Sequence, residues 1–394
     1  MDPQQFRRNI FLYQVYVLLN EPLFWGPIVI TSMQRLGQMT LPEIYFMEAC
    51  VLCICVLWDI PSGALADVIG RRRVIVIGRV FLCVSSFFFT TMTRPLHAWI
   101  ANICWAIGFT MQSGADSAFL YGTLKKGEDV SAYKQVQGRA VGNRYLLVAC
   151  TSLMTGFLAD VNLRLPLMMS FPLMFLPLLA AYCMTEPVRP KRYSILRQLV
   201  ILRRGWRFFR TSTHVRWMIG FAALLTTTEK LWFFTYNPYF EHVRLPLSHF
   251  GIVFFLLNIV AFIASRYATQ MERGLGERGC ILLMIGCTSL PILIMASVPV
   301  AACSYLVLVQ NVVRGFKRPF AEDYLHRRIG DNERIRATIM STQSSAANLL
   351  SIIGLALFGQ MIAGVGLLTA LGVLGTGALL FGVWSYRIYM KRIR

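Results

Sequence analysis

Several ionisable side chains of this sequence stand inside long apolar runs: Glu21, Asp59, Asp116, Arg144, Glu229, Lys230 and Arg314. A charge at the centre of a bilayer costs about 2.5–3.5 kcal/mol on insertion scales, so such residues face a packed interior or water. Carboxylates there can take up and release protons, and cations there can pair with carboxylates or receive anions. Glu21 stands near the middle of its run, is followed by Pro22 and Pro27, and has Tyr13, Asn20 and Trp25 nearby. The prolines predict a kink. Loss of water favours the neutral form of a carboxyl group, which makes a mid-membrane glutamate a natural proton carrier. The structural alternative is a glutamate bonded to a neighbouring helix.

Asp59, Asp116 and Arg144 fall at one depth, about 10 Å from the inner surface at about 1.5 Å per residue. Equal depth predicts one hydrogen-bonded cluster, either a fixed ion pair or a gate. Glu229 and Lys230 are adjacent, about 100° apart on a helix, so each needs its own partner. Lys230 shares a face with Thr226, Phe233 and Asn237, and Glu229 with Trp232 and Tyr236. Asn311, Arg314, Arg318 and Glu322 follow a three-four-four spacing, and Arg314 is expected to pair with Glu229 or to meet an anionic solute. Asn102, Trp105, Phe109, Gln112 and Asp116 follow a three-four-three-four spacing. That places them on one helical face. Amides and an acid in line with aromatic rings predict a cavity wall.

Helices must place these residues. Of 394 residues, 56% are hydrophobic and 15% charged, against about a quarter charged in soluble domains. A span needs about 20 apolar residues, and the chain supplies runs of that size for about twelve. They are placed at 10–31, 43–66, 74–93, 95–122, 137–159, 164–184, 215–240, 248–270, 280–297, 299–324, 337–360 and 364–386. The expected fold is an all-α polytopic membrane protein, with residues 1–184 and 215–394 flanking a basic segment, 185–214. Arg7 and Arg8 precede the first run, which continues to span length without a small-residue cleavage site, so it is read as a retained helix.

Basic residues mark alternate loops. Arg71, Arg72 and Arg73 follow the second span, Lys125, Lys126, Lys134 and Arg139 the fourth. Lys317, Arg318, Arg327, Arg328, Arg334 and Arg336 surround the end of the tenth, and Arg387, Lys391, Arg392 and Arg394 close the chain. The opposite loops hold only Arg35, Arg94, Arg164 and Arg244. The positive-inside rule then makes both termini cytoplasmic. The net charge of +20 is therefore not one basic soluble face, which argues against nucleic acid. The segment 185–214 carries Arg189, Lys191, Arg192, Arg197, Arg203, Arg204, Arg207 and Arg210 between Ile195, Leu199, Leu202 and Trp206. It reads as an amphipathic helix on an anionic inner leaflet, which attracts each basic residue by about 1 kcal/mol. A partner-binding linker is the alternative.

Ten cysteines lie mostly inside apolar runs, and Cys50 and Cys53, with Cys55 nearby, lack the further ligands of a zinc or redox site. No metal or cofactor is expected. Five histidines form no HExxH pattern, and Gly274-x-Gly276 is a weak glycine pair, so the sequence offers no enzyme motif.

Residues 59–73 read Asp-Ile-Pro-Ser-Gly-Ala-Leu-Ala-Asp-Val-Ile-Gly-Arg-Arg-Arg between two spans. The segment resembles the loop joining spans two and three of the major facilitator superfamily, Gly-x-Leu-x-Asp-Arg-x-Gly-Arg-Arg. Gly63, Leu65, Asp67, Gly70, Arg71 and Arg72 match, and Val68 replaces a basic residue. Glu272-Arg273-Gly274-Leu275-Gly276-Glu277-Arg278, after span eight, resembles the degenerate second copy common in that superfamily. Ser113–Ala118 and Arg336–Ser341 resemble a bacterial branch of permeases similar to carriers of drugs, siderophores and other small organic compounds. The resemblance implies two six-helix bundles rocking about a central site in the bacterial inner membrane. It also implies a latch formed by Gly63, Asp67, Gly70, Arg71 and Arg72. The acid that often completes the latch is replaced by Gly122, and the proline signature of many drug–proton antiporters is absent from Thr151–Gly156.

The expectation is a monomeric, proton-coupled secondary transporter of a small organic solute. Its solute and proton cavity is formed from Glu21, Trp25, Asn102, Trp105, Gln112, Glu229, Lys230, Asn311 and Arg314. A multidrug or siderophore exporter of the same fold, and a transporter-like receptor that no longer transports, are the alternatives.

Overall fold

A computed structural model describes residues 2–21, 23–127, 129–187, 212–329 and 333–392. The expected surface helix over 185–214 lies largely outside these residues. The described residues are helical, joined by short turns. In chain order the helices are α1 (Pro3–Leu18), α2 (Val29–Arg35), α3 (Leu41–Ile69), α4 (Arg71–Thr90), α5 (Pro95–Ser113), α6 (Ala115–Lys126), α7 (Tyr133–Val161), α8 (Leu165–Leu173) and α9 (Phe175–Cys183). They continue as α10 (Thr213–Phe233), α11 (Tyr236–His242), α12 (Leu247–Arg266), α13 (Ala268–Ser297), α14 (Val307–Ile329), α15 (Glu333–Val365) and α16 (Leu367–Arg392). A 3₁₀ turn, Ala301–Leu306, leads into α14.

Local chemistry sets several boundaries. Pro3 opens α1 behind Asp2, whose carboxylate accepts from Gln4 N at 3.4 Å, and Ser212 caps α10 by accepting from Val215 N at 3.4 Å. An N-cap side chain replaces a hydrogen bond that the helix cannot make for itself. Gly70 separates α3 from α4 at φ 102°. Gly276, in the second copy of the motif, breaks α13 at φ 65°. Both values favour glycine because a Cβ would collide with its own backbone. The segment 272–278 is therefore helix on both sides of one glycine, not the open loop the sequence suggests.

Among the described residues, eight stretches are long and apolar enough to cross a membrane: Leu41–Asp59, Arg71–Thr90, Gln135–Val161, Leu165–Cys183, Leu247–Arg266, Ala268–Ser297, Thr342–Val365 and Leu367–Lys391. They correspond to expected spans two, three, five, six, eight, nine, eleven and twelve. Expected spans one, four, seven and ten depart from this pattern. The first divides into α1 and α2 around residues 19–28, the fourth into α5 and α6 at Gly114, and the seventh into α10 and α11 at 234–235. The tenth begins with the 3₁₀ turn, and α14 carries Arg314, Lys317 and Arg318. Span six is also divided, at Met174.

The contacts define two units. One comprises the described residues of Met1–Thr40, Cys50–Ser194 and Leu247–Phe255. Its core joins Tyr13, Tyr16, Ile75, Met111, Phe119 and Leu120. The other comprises those of Leu41–Ala49, Ile195–Pro246 and Leu256–Arg394, with Trp217, Phe221, Met284, Phe316, Phe320 and Tyr324 at its core. Large apolar side chains such as Leu57, Phe157, Val161 and Leu380 remain outside these cores, at 55–79% exposure. That is the expected surface of a protein solvated by lipid tails.

Candidate solute and proton site

In the first unit the irregular stretch 19–28 carries Glu21. Arg79, on α4, is completely buried, and its Nη1 donates to the carbonyl and Oδ1 of Asn20 at 2.9 and 2.7 Å. Its guanidinium also lies 5.9 Å from the centre of the Tyr16 ring. A cation at the carboxyl end of α1 opposes the negative end of the helix dipole and satisfies a carbonyl that the broken helix leaves unpaired. The Ser170 hydroxyl donates to the Leu23 carbonyl farther along the stretch. Glu21 Oε1 then lies 3.4 Å from Arg144 Nη1 of α7, with the two side chains 45% and 18% exposed.

Among the described residues no hydrogen bond or ion pair joins Asp59, Asp116 and Arg144 into the expected cluster, although Arg144 lies near enough to Asp116 for their charges to interact. Arg144 pairs with Glu21 instead. Asp59 is exposed and accepts from the Ser113 hydroxyl at 3.4 Å, while Asp116 accepts from Ser117 N at 2.5 Å. Equal depth fixes height along a helix but not direction around its axis. The predicted stripe on span four also divides. Gln112 is buried and accepts from the Tyr16 hydroxyl at 2.6 Å. Asn102 is buried and donates to Ala98 O at 2.9 Å. Trp105 stacks on the half-exposed Phe109 at 4.9 Å, and Asp116 belongs to α6, beyond the break. Trp25 is buried with its ring edge against Phe89, 4.4 Å away, and its Nε1 has no hydrogen-bond partner among the described residues.

The Tyr16–Gln112 bond is itself testable. Tyr16→Phe leaves a buried carbonyl without its donor, a loss of about 1–3 kcal/mol. The thermal unfolding midpoint in detergent is expected to fall, whereas Tyr121→Phe, at an exposed ring, leaves it unchanged. Equal midpoints for the two variants would show that the bond does not contribute.

At the expected latch, Arg71 Nη1 donates to Ala118 O at 2.6 Å, one turn before Gly122. Arg72 N donates to Glu186 Oε2 at 2.8 Å, and its guanidinium bonds the Tyr182 carbonyl. Asp67 is half-buried with no ion pair among the described residues, and Gly63 is exposed. Arg71 and Arg72 are thus tied to α6 and to the end of α9.

In the second unit, Glu229 stands five residues before the break in span seven. The Thr235 hydroxyl donates to Leu231 O at 2.7 Å, and the Tyr45 hydroxyl bonds the same carbonyl at 2.9 Å, which holds this break. Glu229 Oε2 contacts Lys317 Nζ, and Glu229 Oε1 lies 3.8 Å from Arg314 Nε. Lys317 also donates to the Thr226 hydroxyl at 3.3 Å. Lys230 donates to Asn348 Oδ1 at 2.9 Å. Asn311 is buried, and its Nδ2 donates to Val307 O at 3.0 Å and reaches Tyr236 Oη at 3.4 Å. The pairing of Arg314 with Glu229 agrees with the sequence. Lys317 was read as a loop cation, yet it lies three residues beyond Arg314 and on the same helix face. The side chain of Glu322 lies outside the described residues.

No protein-family model and no curated protein matches the sequence. Solved structures do. The nucleoside transporter NupG superposes with a TM-score of 0.77 at 13% identity, over 99% of this chain and 100% of that one. A bacterial homologue of the human lysosomal transporter Spinster, in an inward-facing and unoccupied conformation, gives 0.71 at 13% identity, over 99% and 98%. A D-xylose–proton symporter gives 0.72 at 12% identity, over 97% of each chain. The chain therefore shares the helical fold of these solved transporters.

Proposed function

We propose that this chain is a secondary active transporter of a small organic solute, coupled to protons and working by alternating access through twelve spans in two six-helix bundles. One observation carries the reading. Expected spans one, four, seven and ten, every third along the chain, are not among the described helices that are long and apolar enough to cross in one piece, and the first and seventh, at corresponding places in the two halves, carry the carboxylates Glu21 and Glu229. Discontinuous spans at matching positions of two repeats are where transporters of repeated architecture hold substrate and coupling ions. Each carboxylate is only partly buried and faces a cation, an arrangement that protonation would loosen. The solutes named for similar structures, a nucleoside and D-xylose with a proton, support a small polar cargo.

In this reading the Gly63–Arg73 segment is the inner latch. The loop charges support a multi-pass protein of a bacterial inner membrane with cytoplasmic termini, and the basic segment 185–214 lies on anionic lipid. The protein works as a monomer.

Purified protein in liposomes tests the reading. An inward proton gradient is expected to drive accumulation of at least one member of a panel of nucleosides, sugars and their acidic derivatives, and a protonophore is expected to abolish it. Glu21→Gln is expected to retain solute exchange at equal pH but to lose accumulation by at least about tenfold, the effect of about 1.4 kcal/mol of lost coupling. Gradient-driven accumulation that is unchanged in Glu21→Gln would remove this residue from the proton path. No flux for any panel member would remove the transport reading.

A further inference from the structure

Resting on that reading, we infer that the second unit receives an oxyanion of the solute, a carboxylate or phosphate, on the guanidinium of Arg314 and the side-chain amide of Gln310. Glu229 is claimed by Lys317, whose ammonium contacts Oε2. Arg314 Nε, at 3.8 Å from the other oxygen, lies beyond hydrogen-bond reach. Among the described residues these two cations share one carboxylate, which leaves one positive charge over.

The donors of Arg314 are also unspent. A guanidinium offers five N–H donors, and among the described residues none of those on Arg314 makes a hydrogen bond, although its side chain is 44% exposed. Other arginines of the chain differ. Arg79 bonds the Asn20 carbonyl at 2.9 Å, Arg164 bonds the carbonyls of Thr90 and Met92 at 3.0 and 2.7 Å, and Arg71 bonds Ala118 at 2.6 Å. Those three anchor the backbone. Arg314 bonds no carbonyl among the described residues, and a forked cation held open inside a span is matched by a planar or tetrahedral oxyanion.

Gln310 supplies an independent sign. It stands four residues before Arg314, one turn away on the same face of α14. Its side chain is 3% exposed, its carbonyl accepts from the Tyr236 hydroxyl at 3.1 Å, and its Nε2 has no partner. An orphaned buried amide donor costs about as much as a lost hydrogen bond, so its retention calls for an acceptor. A surplus charge, an open guanidinium and an unused amide donor on one helix face all ask for the same kind of group. Neutral sugars and nucleosides lack the charge, and organic cations would be repelled.

The test uses the full chain in a neutral maltoside detergent, which excludes lipid headgroups as the anion source. The thermal unfolding midpoint is titrated with inorganic phosphate and with acetate against chloride, at fixed pH and ionic strength. A saturable rise with at least one oxyanion and none with chloride is expected. Arg314→Gln is expected to raise the half-saturating concentration at least tenfold, and Gln310→Leu to raise it severalfold. Gln310→Leu keeps every charge and serves if Arg314→Gln does not fold. No saturable oxyanion effect, or one that both variants leave intact, would overturn the assignment. Gradient-driven uptake of a neutral solute without oxyanion binding would also overturn it while leaving the transport reading in place. Oxyanion binding that depends on Arg314, in protein that shows no flux, would sustain the site and remove the transport reading.

Discussion

Glu229→Gln is expected to produce the largest loss of stability of any single charge removal in the second unit. Lys317 and Arg314 would then face each other without a counter-charge. Breaking a fully buried pair by removing one partner costs about 3–5 kcal/mol, and partial exposure of these three side chains reduces that to about 2–3 kcal/mol. The sign is tested by compensation. The double variant Glu229→Gln/Lys317→Met removes one charge of each sign and is expected to recover most of the lost unfolding midpoint. Should the double variant be no more stable than the single one, Lys317 is not the partner that Glu229 neutralises.

Gly315→Val is expected to have a comparable effect by a different route. Gly315 lies on α14 where it crosses α12 within the second unit. A Cβ at this position would overlap the carbonyl oxygen of Ala261 and fall 2.9 Å from its carbonyl carbon. The obstacle is backbone, which cannot turn aside as a side chain can. Small residues allow such close crossings between membrane helices, and overpacking costs about 1–3 kcal/mol, occasionally more. Because Gly315 adjoins Arg314, a forced shift of α14 would also move the guanidinium. Valine is expected to lower the yield of monodisperse protein and the unfolding midpoint, with alanine giving a smaller change in the same direction. A valine variant as stable as the parent would mean that the crossing is looser than described.

The residues that the sequence places correctly are those whose signal is energetic. Of the twelve apolar runs that the sequence offers, eight are, among the described residues, helices long and apolar enough to cross a membrane. Gly70 marks a break because the position needs a backbone that other residues avoid. The Glu229–Arg314 pairing is legible because opposite charges in apolar runs have few other solutions. What fails is whatever depends on direction around a helix axis. Asp59 and Arg144 share a depth but not a neighbour, and Arg144 turns to Glu21. The stripe on span four is interrupted at Gly114, yet Asp116 still acts on Tyr16, whose hydroxyl donates to Gln112.

Arg79 and Lys317 each carry a sequence signal of their own. Arg79 is a lone arginine within the run from Val74 to Phe89, and such a residue is expensive unless it holds something. Lys317 was counted among the loop charges, though its spacing from Arg314 puts both on one face. The partners these two residues choose, the Asn20 carbonyl and Glu229, depend on which helices pack together, and spacing along the sequence does not specify that.

In a transporter of this kind, charged residues in the broken spans are reached by water rather than sealed in the helix packing. Cysteine accessibility tests it without knowledge of the solute. In a background with the ten native cysteines replaced, single cysteines at Glu21 and Arg314 are treated with a membrane-impermeant thiol reagent on each side of the membrane, with Leu380→Cys as the lipid-facing control. The account predicts modification at Glu21 and Arg314 from at least one side and none at Leu380. Glu21 and Arg314 positions as unreactive as Leu380, from both sides and at every pH tried, would contradict it.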